Sequence, residues 1–256
     1  MRLARVRDRG SLCYDFGVSS HPQRGKFVTF EGLDGCGKST QLEKLAKFLR
    51  AQHLSVVVTR EPGGTPTGEK IRRLLLDTGT SSLAPLAELA LMFASRAQHV
   101  KEVIQPALAE GHIVLCDRFT DSSEAYQGGG RKLGSEPVLA LHRALFGDLQ
   151  PDLTILMDSD PVMSVERARR RNKSSRPGHK RDDHDENRFE QESRAFFGRV
   201  RNAYLAIAER EPERVVVVDA RGTPEKTHKL IKEVVGRKLK IAFSTQQSAF
   251  SRSGTK

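Results

Sequence analysis

The chain has 256 residues and three cysteines, with 37% hydrophobic and 29% charged residues. This length allows one sizeable α/β domain with appendages, and no apolar run approaches the ~20 residues that a membrane-spanning helix needs. Three scattered cysteines exclude a disulfide framework and a cysteine-rich zinc site, and the basic N-terminus has no apolar segment of signal-peptide length. These features predict a cytoplasmic protein that does not enter a membrane.

The formal net charge of +11 is concentrated in three segments. Residues 1–26 carry a net charge of +4, and residues 167–188 and 237–256 carry +5 each, so the rest of the chain is slightly acidic. Because the positive charge belongs to two ends and one internal segment, it does not favour a nucleic-acid-binding face.

Short apolar segments alternate with helical patterns along the chain. Five segments rich in Val, Ile, Leu and Phe are predicted to be strands: 27–31, 55–60, 112–117, 153–158 and 214–219. Helices are predicted over 39–52, 88–110, 189–211 and 224–239, and a further one begins at Asp160-Pro161. This alternation predicts an α/β fold with a five-stranded, doubly wound parallel sheet flanked by helices, which binds ligands at the carboxyl ends of its strands.

The two ends of the chain lack this periodicity. We predict a flexible N-terminal extension over residues 1–25, a folded domain over 26–240 and a disordered tail over 241–256.

The segment FEGLDGCGKST follows the first predicted strand and matches the phosphate-binding loop of P-loop NTPases. A chance glycine-rich turn is the alternative interpretation, but the strand before it and the helix after it both fit a phosphate loop. Lys38 would reach the β- and γ-phosphates of ATP, and the Ser39 hydroxyl would bind Mg²⁺. The expected ATP-binding residues are Gly32, Leu33, Asp34, Gly35, Cys36, Gly37, Lys38, Ser39 and Thr40.

Asp117 and Arg118 end the third predicted strand, close to the expected phosphate loop. A carboxylate in this position can hold Mg²⁺ directly or through water, so we predict Asp117 as a metal-binding residue together with Ser39. The alternative is that Asp117 caps the helix that follows. An arginine at the mouth of a strand indicates a bound anion.

Four further motifs, read together with the phosphate loop, indicate a family. They are REPGGT (60–65), Asp117-Arg118, AYQGGGR (125–131) and PDLTILMD (151–158). In this order, they make the chain resemble bacterial thymidylate kinases, which are P-loop nucleoside monophosphate kinases. The resemblance implies transfer of the γ-phosphoryl group of ATP to dTMP, with Mg²⁺, to give dTDP and thereby supply dTTP for DNA synthesis. It also implies a homodimer formed through helices such as 88–110.

The resemblance further implies a set of dTMP-binding residues. Arg96 and Arg118 would bind the phosphate, and Tyr126 would leave no room for a 2′-hydroxyl. Ser123 would hydrogen-bond to thymine, with Gln127 beside it. The full set is Arg60, Pro62, Phe93, Arg96, Arg118, Ser123, Tyr126 and Gln127. Asp34 would lie near the sugar 3′-hydroxyl and the metal, and the Glu61–Pro62 peptide bond is a candidate for the cis form.

One position departs from the family pattern. The family usually stacks an aromatic ring on thymine four residues before the arginine that matches Arg96, and here that position holds Met92, followed by Phe93. Either side chain could cover the base, and both fit a helical core pattern equally well.

Phosphoryl transfer needs a cation that reaches the migrating group, and Lys38 is the only cation in the phosphate loop. Some family members carry an arginine where this chain has Gly35. We therefore predict that the basic segment 167–188 is a mobile lid that closes over ATP, excludes water and supplies the arginine. Arg167 and Arg171 share a helix face, and Arg188 resembles the family's arginine at the lid exit. The predicted catalytic residues are Lys38, Asp34, Arg118, Arg167, Arg171 and Arg188.

Three other functions fit parts of the sequence. A kinase for another nucleoside monophosphate, such as dGMP or CMP, would need a different base pocket, and Tyr126 with REPGG argues against it. A GTPase-like switch would need a guanine-specific Asn-Lys-x-Asp motif, which the sequence lacks. A nucleic-acid-binding ATPase would use the positive charge, but most of that charge lies outside the folded body.

Overall fold

The computed structural model describes residues 24–80, 83–174 and 188–241, without the side chains of 171–174 and 190. Most of the predicted N-terminal extension, of the C-terminal tail and of the lid (167–188) lies outside the described residues. The domain boundaries and the mobility of the lid therefore stay predictions.

Within the described residues, five strands form one parallel sheet, as predicted. They are β1 (Phe27–Glu31), β2 (Val56–Arg60), β3 (Ile113–Asp117), β4 (Leu153–Asp158) and β5 (Val215–Asp219). Their order across the sheet is β2-β3-β1-β4-β5, so β1 pairs with β3 on one side and with β4 on the other. The loop that follows β1 therefore lies where the strand order reverses, which is the usual ligand position in such sheets.

Helices connect the strands on both faces of the sheet. They are α1 (Lys38–Ala51), α2 (Pro66–Leu76), α3 (Pro85–His99), α4 (Gln105–Ala109), α5 (Thr120–Ser123), α6 (Glu136–Phe146), α7 (Pro161–Ser174), α8 (Arg194–Arg210) and α9 (Pro224–Leu239). Two π-helical segments, Val100–Ile104 and Glu124–Gly130, continue α3 and α5. No helix in the described ranges is long and apolar enough to cross a bilayer.

The predicted helices differ from the structure in detail. The predicted helix 88–110 contains a π-helical turn before Pro106, because proline has no N–H to continue the regular ladder; Gln105 N–H bonds instead to Val100. The predicted helix 189–211 begins only at Arg194, since the Ser193 hydroxyl accepts the Phe196 N–H and caps it. Helices α2 and α6 were not predicted, because both are short and follow glycine-rich turns.

The core has two main layers, which the alternation of β1 defines. Val28 and Phe30 point to a cluster with α1 and α9, which includes Leu45 and Ile231. Phe27 packs on the opposite face against the region around α4 and β3. Since side chains alternate along a strand, Glu31 lies on the same face as Phe27, in line with its bonds to residues beyond β3 and on α8.

Candidate active site

The phosphate loop between β1 and α1 is formed by glycines in conformations that other residues rarely adopt. Gly32, Gly35 and Gly37 have φ angles of 130°, 78° and 98°. A Cβ atom on Gly32 would lie 2.5 Å from the Met157 carbonyl oxygen, so the loop also packs tightly on the end of β4. These constraints explain why the predicted ATP-binding loop needs its glycines.

The ammonium group of Lys38 lies inside the loop. It donates to the carbonyl oxygens of Gly32 and Leu33 at 3.0 and 2.9 Å, and the side chain is buried. Cys36 is buried with its sulfur 3.9 Å from the same Nζ, and burial raises the pKa of its thiol. Thr40 is exposed on the first turn of α1. The loop therefore presents one concentrated positive charge and the N-terminus of α1, which suits phosphate binding.

Ser39 and Asp117 lie together beside the loop, and their role as metal ligands stays a prediction. The Ser39 hydroxyl donates to Asp117 Oδ2 at 3.0 Å. Asp117 Oδ1 is buried and has no hydrogen-bond partner among the described residues. The alternative interpretation of Asp117 as a helix cap is wrong, because Phe119 occupies the cap position of α5.

Arg118 joins the end of β3 to the phosphate loop. Its guanidinium pairs with Asp34 Oδ1 at 2.7 Å and donates to the Gly32 carbonyl oxygen at 3.1 Å. The residue has a φ of 76°, which is strained for a side chain of this size. The Tyr126 hydroxyl donates to Asp34 Oδ2 at 3.1 Å, and its ring lies 5.0 Å from the Arg118 guanidinium carbon.

The electrostatics of this cluster define the proton states of its members. Burial alone would raise the pKa of Asp34, but the charges of Arg118 and Lys38 outweigh it and hold that pKa well below its usual range. Burial raises the pKa of Tyr126 far above its ordinary value. At neutral pH, Asp34 is therefore an ionised acceptor and Tyr126 a neutral donor.

Tyr204 bonds to Arg118 and Glu31 bonds to the turn after it, and neither residue was predicted to belong to the site. Glu31 accepts the Phe119 N–H at 2.7 Å, which supports the strained turn after Arg118, and it accepts the Tyr204 hydroxyl at 2.9 Å. Tyr204 also lies 3.2 Å from Arg118 Nη1, which donates to it. A glutamate at the end of an apolar strand was a visible signal, but Tyr204 on α8 carried none.

Arg96 forms a buried ion pair with Glu61. Its Nε donates to Glu61 Oε2 at 2.6 Å, and its Nη2 donates to Ser123 Oγ at 3.0 Å. Its Nη1 is buried without a hydrogen-bond partner in the described part of the chain. This nitrogen is a hydrogen-bond donor that the described residues leave available. The sequence analysis missed Glu61 as the residue that orients Arg96; the Glu61–Pro62 bond is cis, as expected.

The structure does not support Phe93 as the residue that covers thymine. Phe93 is 1% exposed, stacks on Phe146 at 6.0 Å and packs with Leu89, so it has no surface to offer a base. Met92 is only partly buried and packs against the cluster that contains Tyr126. Of the two residues at the position that departs from the family pattern, only Met92 therefore keeps exposed surface.

Arg188, predicted as a catalytic residue, contacts α2 and α3 in this structure. It is buried, its Nε donates to the Leu75 carbonyl oxygen at 2.6 Å, and its Nη2 lies 2.7 Å from Glu88 Oε2. Glu88 in turn accepts the Gln127 amide at 2.8 Å. None of the contacts described for Arg188 involves the phosphate loop, and its catalytic role stays a prediction.

Arg60 and Pro62 were predicted to bind dTMP; Arg60 ends β2 and Pro62 lies in the turn that follows. Arg60 is more than half exposed and makes a two-bond pair with Glu69 on α2. The Pro62 carbonyl oxygen accepts from Arg72 at 3.0 Å. Both residues therefore shape the turn after β2, and neither contacts Arg118 or Tyr126 in the described bonds.

Helix α7, which leads into the predicted lid, packs directly on the phosphate loop. Asp160 caps it by accepting the Met163 N–H at 2.9 Å, as predicted. A Cβ atom on Gly35 would lie 2.0 Å from the Ser164 carbonyl oxygen, so this helix excludes any larger residue from that position. Arg167 is exposed on α7, whereas the Arg171 side chain and residues 175–187 lie outside the described residues.

These features define a P-loop nucleotide-binding protein. A strand, a phosphate loop and a helix lie at the centre of a parallel sheet, and Arg118 from the end of β3 bonds to the loop.

Comparisons with known proteins define the family. The thymidylate kinase family model matches residues 30–231. Among curated relatives, a thymidylate kinase from Geobacter sulfurreducens is 47% identical over 82% of this chain and 96% of its own length. One from Desulfovibrio desulfuricans is 51% identical over 78% of this chain and 89% of its own length. The crystal structure of thymidylate kinase from Ehrlichia chaffeensis matches with a TM-score of 0.64 and 32% identity, covering 83% of this chain and 98% of the other. The chain belongs to the thymidylate kinase family.

Proposed function

We propose that this chain is a dTMP kinase, which transfers the γ-phosphoryl group of ATP to dTMP and forms dTDP for dTTP synthesis. The observation that carries the proposal is the position of Arg118. Its guanidinium contacts Asp34 and the Gly32 carbonyl oxygen of the phosphate loop. An acceptor phosphate held by Arg118 therefore lies directly beside the donor phosphates.

The chain's residues orient and neutralise the reactants. A phosphate monoester dianion is already a competent nucleophile, so the site needs no strong general base. The loop amides and Lys38 hold the donor phosphates, while Arg118 and Arg96 hold the acceptor phosphate. Asp34 is ionised and accepts a hydrogen bond from the sugar 3′-hydroxyl, and the Tyr126 ring fills the space that a 2′-hydroxyl would need.

The metal proposal rests on Ser39 and Asp117. The unpartnered Asp117 Oδ1 and the Ser39 hydroxyl are oxygen ligands beside the phosphate loop, and such ligands suit Mg²⁺. We infer that these two residues hold it. When bound, Mg²⁺ neutralises charge on the ATP phosphates.

The remaining cation comes from the lid. Gly35 contacts the backbone of α7, so the start of the lid helix lies against the phosphate loop. Arg167 and Arg171 are one helical turn apart on α7, and one of them reaches the migrating phosphoryl group when the lid closes.

We also propose that the protein is a cytoplasmic homodimer without a nucleic-acid partner. The outward face of α3 exposes the small residues Ala87, Ala90 and Ala94 next to Leu86, which is 62% exposed. Small side chains let two helices approach closely, and the leucine adds apolar area. Ala90→Arg should give a monomer in light scattering, and an unchanged dimer would contradict the proposed interface.

A steady-state comparison of dTMP, dUMP, dGMP and CMP, with ATP and the full chain, tests the activity. We expect the highest kcat/KM for dTMP, and Lys38→Ala controls for contaminating kinases. Equal kcat/KM values for the four acceptors would contradict the proposal.

A further inference from the structure

Glu88 on α3 is a buried carboxylate that three other segments contact. It is 0% exposed. The Gln127 amide nitrogen donates to it at 2.8 Å, and Arg131 Nε donates to both of its oxygens at 3.2 Å. Arg188 Nη2 lies 2.7 Å from its Oε2. Nothing in the proposed mechanism uses this carboxylate, although it touches a predicted thymine-binding residue.

The hydrogen bond between Gln127 and Glu88 determines which way the Gln127 amide faces. Both oxygens of Glu88 already accept from Arg131 Nε, and the Arg188 guanidinium lies against Oε2, so the carboxylate faces Gln127 as a hydrogen-bond acceptor. Gln127 must therefore turn its NH₂ group toward Glu88, since the opposite orientation would place two acceptors against each other. The amide carbonyl oxygen is then the end that remains for a ligand.

The orientation of the Gln127 amide matters because pyrimidine bases differ in the hydrogen-bonding group at N3. Thymine and uracil carry a hydrogen-bond donor at N3, whereas neutral cytosine carries an acceptor there. An amide oxygen beside N3 accepts from thymine and repels cytosine. An amide free to rotate would serve both bases. Ser123, the other predicted thymine contact, ends α5 immediately before the π-helical segment that carries Gln127.

We propose that Glu88 is a positioning residue for base selection: it holds the Gln127 amide with its oxygen toward the base, so that the pocket accepts thymine and rejects cytosine. This inference rests on the proposed placement of thymine beside Gln127.

The test compares dTMP, dUMP and dCMP as acceptors for the full-length wild type, Glu88→Gln and Glu192→Gln. E88Q is isosteric, but its amide can donate or accept, so Gln127 is no longer held. We expect the kcat/KM ratio of dTMP to dCMP to fall about tenfold in E88Q, with the change in the nucleotide KM and not in the KM for ATP. The ratio of dTMP to dUMP should not change, because both bases carry the N3 donor.

E192Q is the matched control, since Glu192 pairs with Arg131 but does not contact Gln127 in the described bonds. It should keep the wild-type ratio of dTMP to dCMP. If E88Q also keeps that ratio, the inference is wrong. It is also wrong if the ratios of dTMP to dCMP and of dTMP to dUMP change together in E88Q, since that would indicate a general loss of packing around the base. Should E88Q not fold, Glu88→Asp decides: it keeps a charge for both arginines but withdraws from Gln127, and an unchanged dTMP to dCMP ratio overturns the proposal.

Gln127→Met separates this inference from the proposed site. It removes the amide and leaves the pairs of Glu88 with Arg131 and Arg188 in place. If the kcat/KM ratio of dTMP to dCMP falls in Q127M but not in E88Q, the role of Glu88 is refuted and the placement of thymine beside Gln127 stands. An unchanged KM for dTMP in Q127M would refute the placement of thymine beside Gln127, and with it the inference.

Discussion

Replacing Glu31 by glutamine is expected to change how the stability of the protein depends on pH. Burial, and then the charge of Asp121, raise the pKa of Glu31 from 4.5 to about 7, although Arg118, Ser122 and the Phe119 N–H act in the opposite direction. In the unfolded chain the group titrates near its ordinary value. Between these two pKa values the folded state therefore binds more protons than the unfolded state.

The sign and the size of the effect follow from this difference. The contribution of Glu31 to stability is fully present below its unfolded pKa and is lost as the pH rises through its folded pKa of about 7. The raised pKa corresponds to a loss of roughly 3 kcal/mol in the free energy of unfolding across that window. E31Q keeps the shape of the side chain but does not titrate, and its amide nitrogen is a donor where Glu31 has a second oxygen.

Urea denaturation of both proteins at about pH 5 and about pH 8 measures the effect. The wild type should lose roughly 3 kcal/mol more than E31Q between these two conditions. Glu213→Gln, which removes a fully exposed carboxylate, is the matched control. If the stability of E31Q changes with pH as much as that of the wild type, the reasoning about the buried carboxylate is refuted.

Two further predictions concern the phosphate loop and the lid. Gly35→Ala should lower Tm and raise the KM for ATP, because a φ of 78° costs alanine roughly 1–2 kcal/mol and its Cβ would lie 2.0 Å from a carbonyl oxygen of α7. Gly198→Ala meets no atom within 4 Å on α8 and should not lower Tm, so a similar loss in both variants would contradict this explanation. Either Arg167→Ala or Arg171→Ala should reduce kcat by about 10³-fold or more in a coupled assay. Arg170→Ala is the control, because it loses only an exposed pair with Glu166, and it should keep a kcat near that of the wild type. If all three variants have a kcat near that of the wild type, the catalytic cation does not come from α7.

Much of the fold could be predicted because its signals are local. The five strands are short apolar runs, and such runs suit β1, β3 and β4, which lie inside the parallel sheet with both faces covered. The phosphate loop could be located for the same reason, since Gly32, Gly35 and Gly37 must adopt positive φ angles. Helix ends were less predictable, because a single hydroxyl such as that of Ser193 decides where a helix begins.

The sequence by itself determined the phosphate loop, the order of strands and helices, and the motifs that place Arg96, Arg118 and Tyr126 at one edge of the sheet. Only the tertiary structure decided which neighbours these side chains have. It buries Phe93, pairs Arg188 with Glu88, and brings Tyr204 from α8 to Glu31 and Arg118. The physical reason is that backbone conformation depends on nearby residues, whereas a buried charge is held by whichever donors and acceptors the completed packing brings to it.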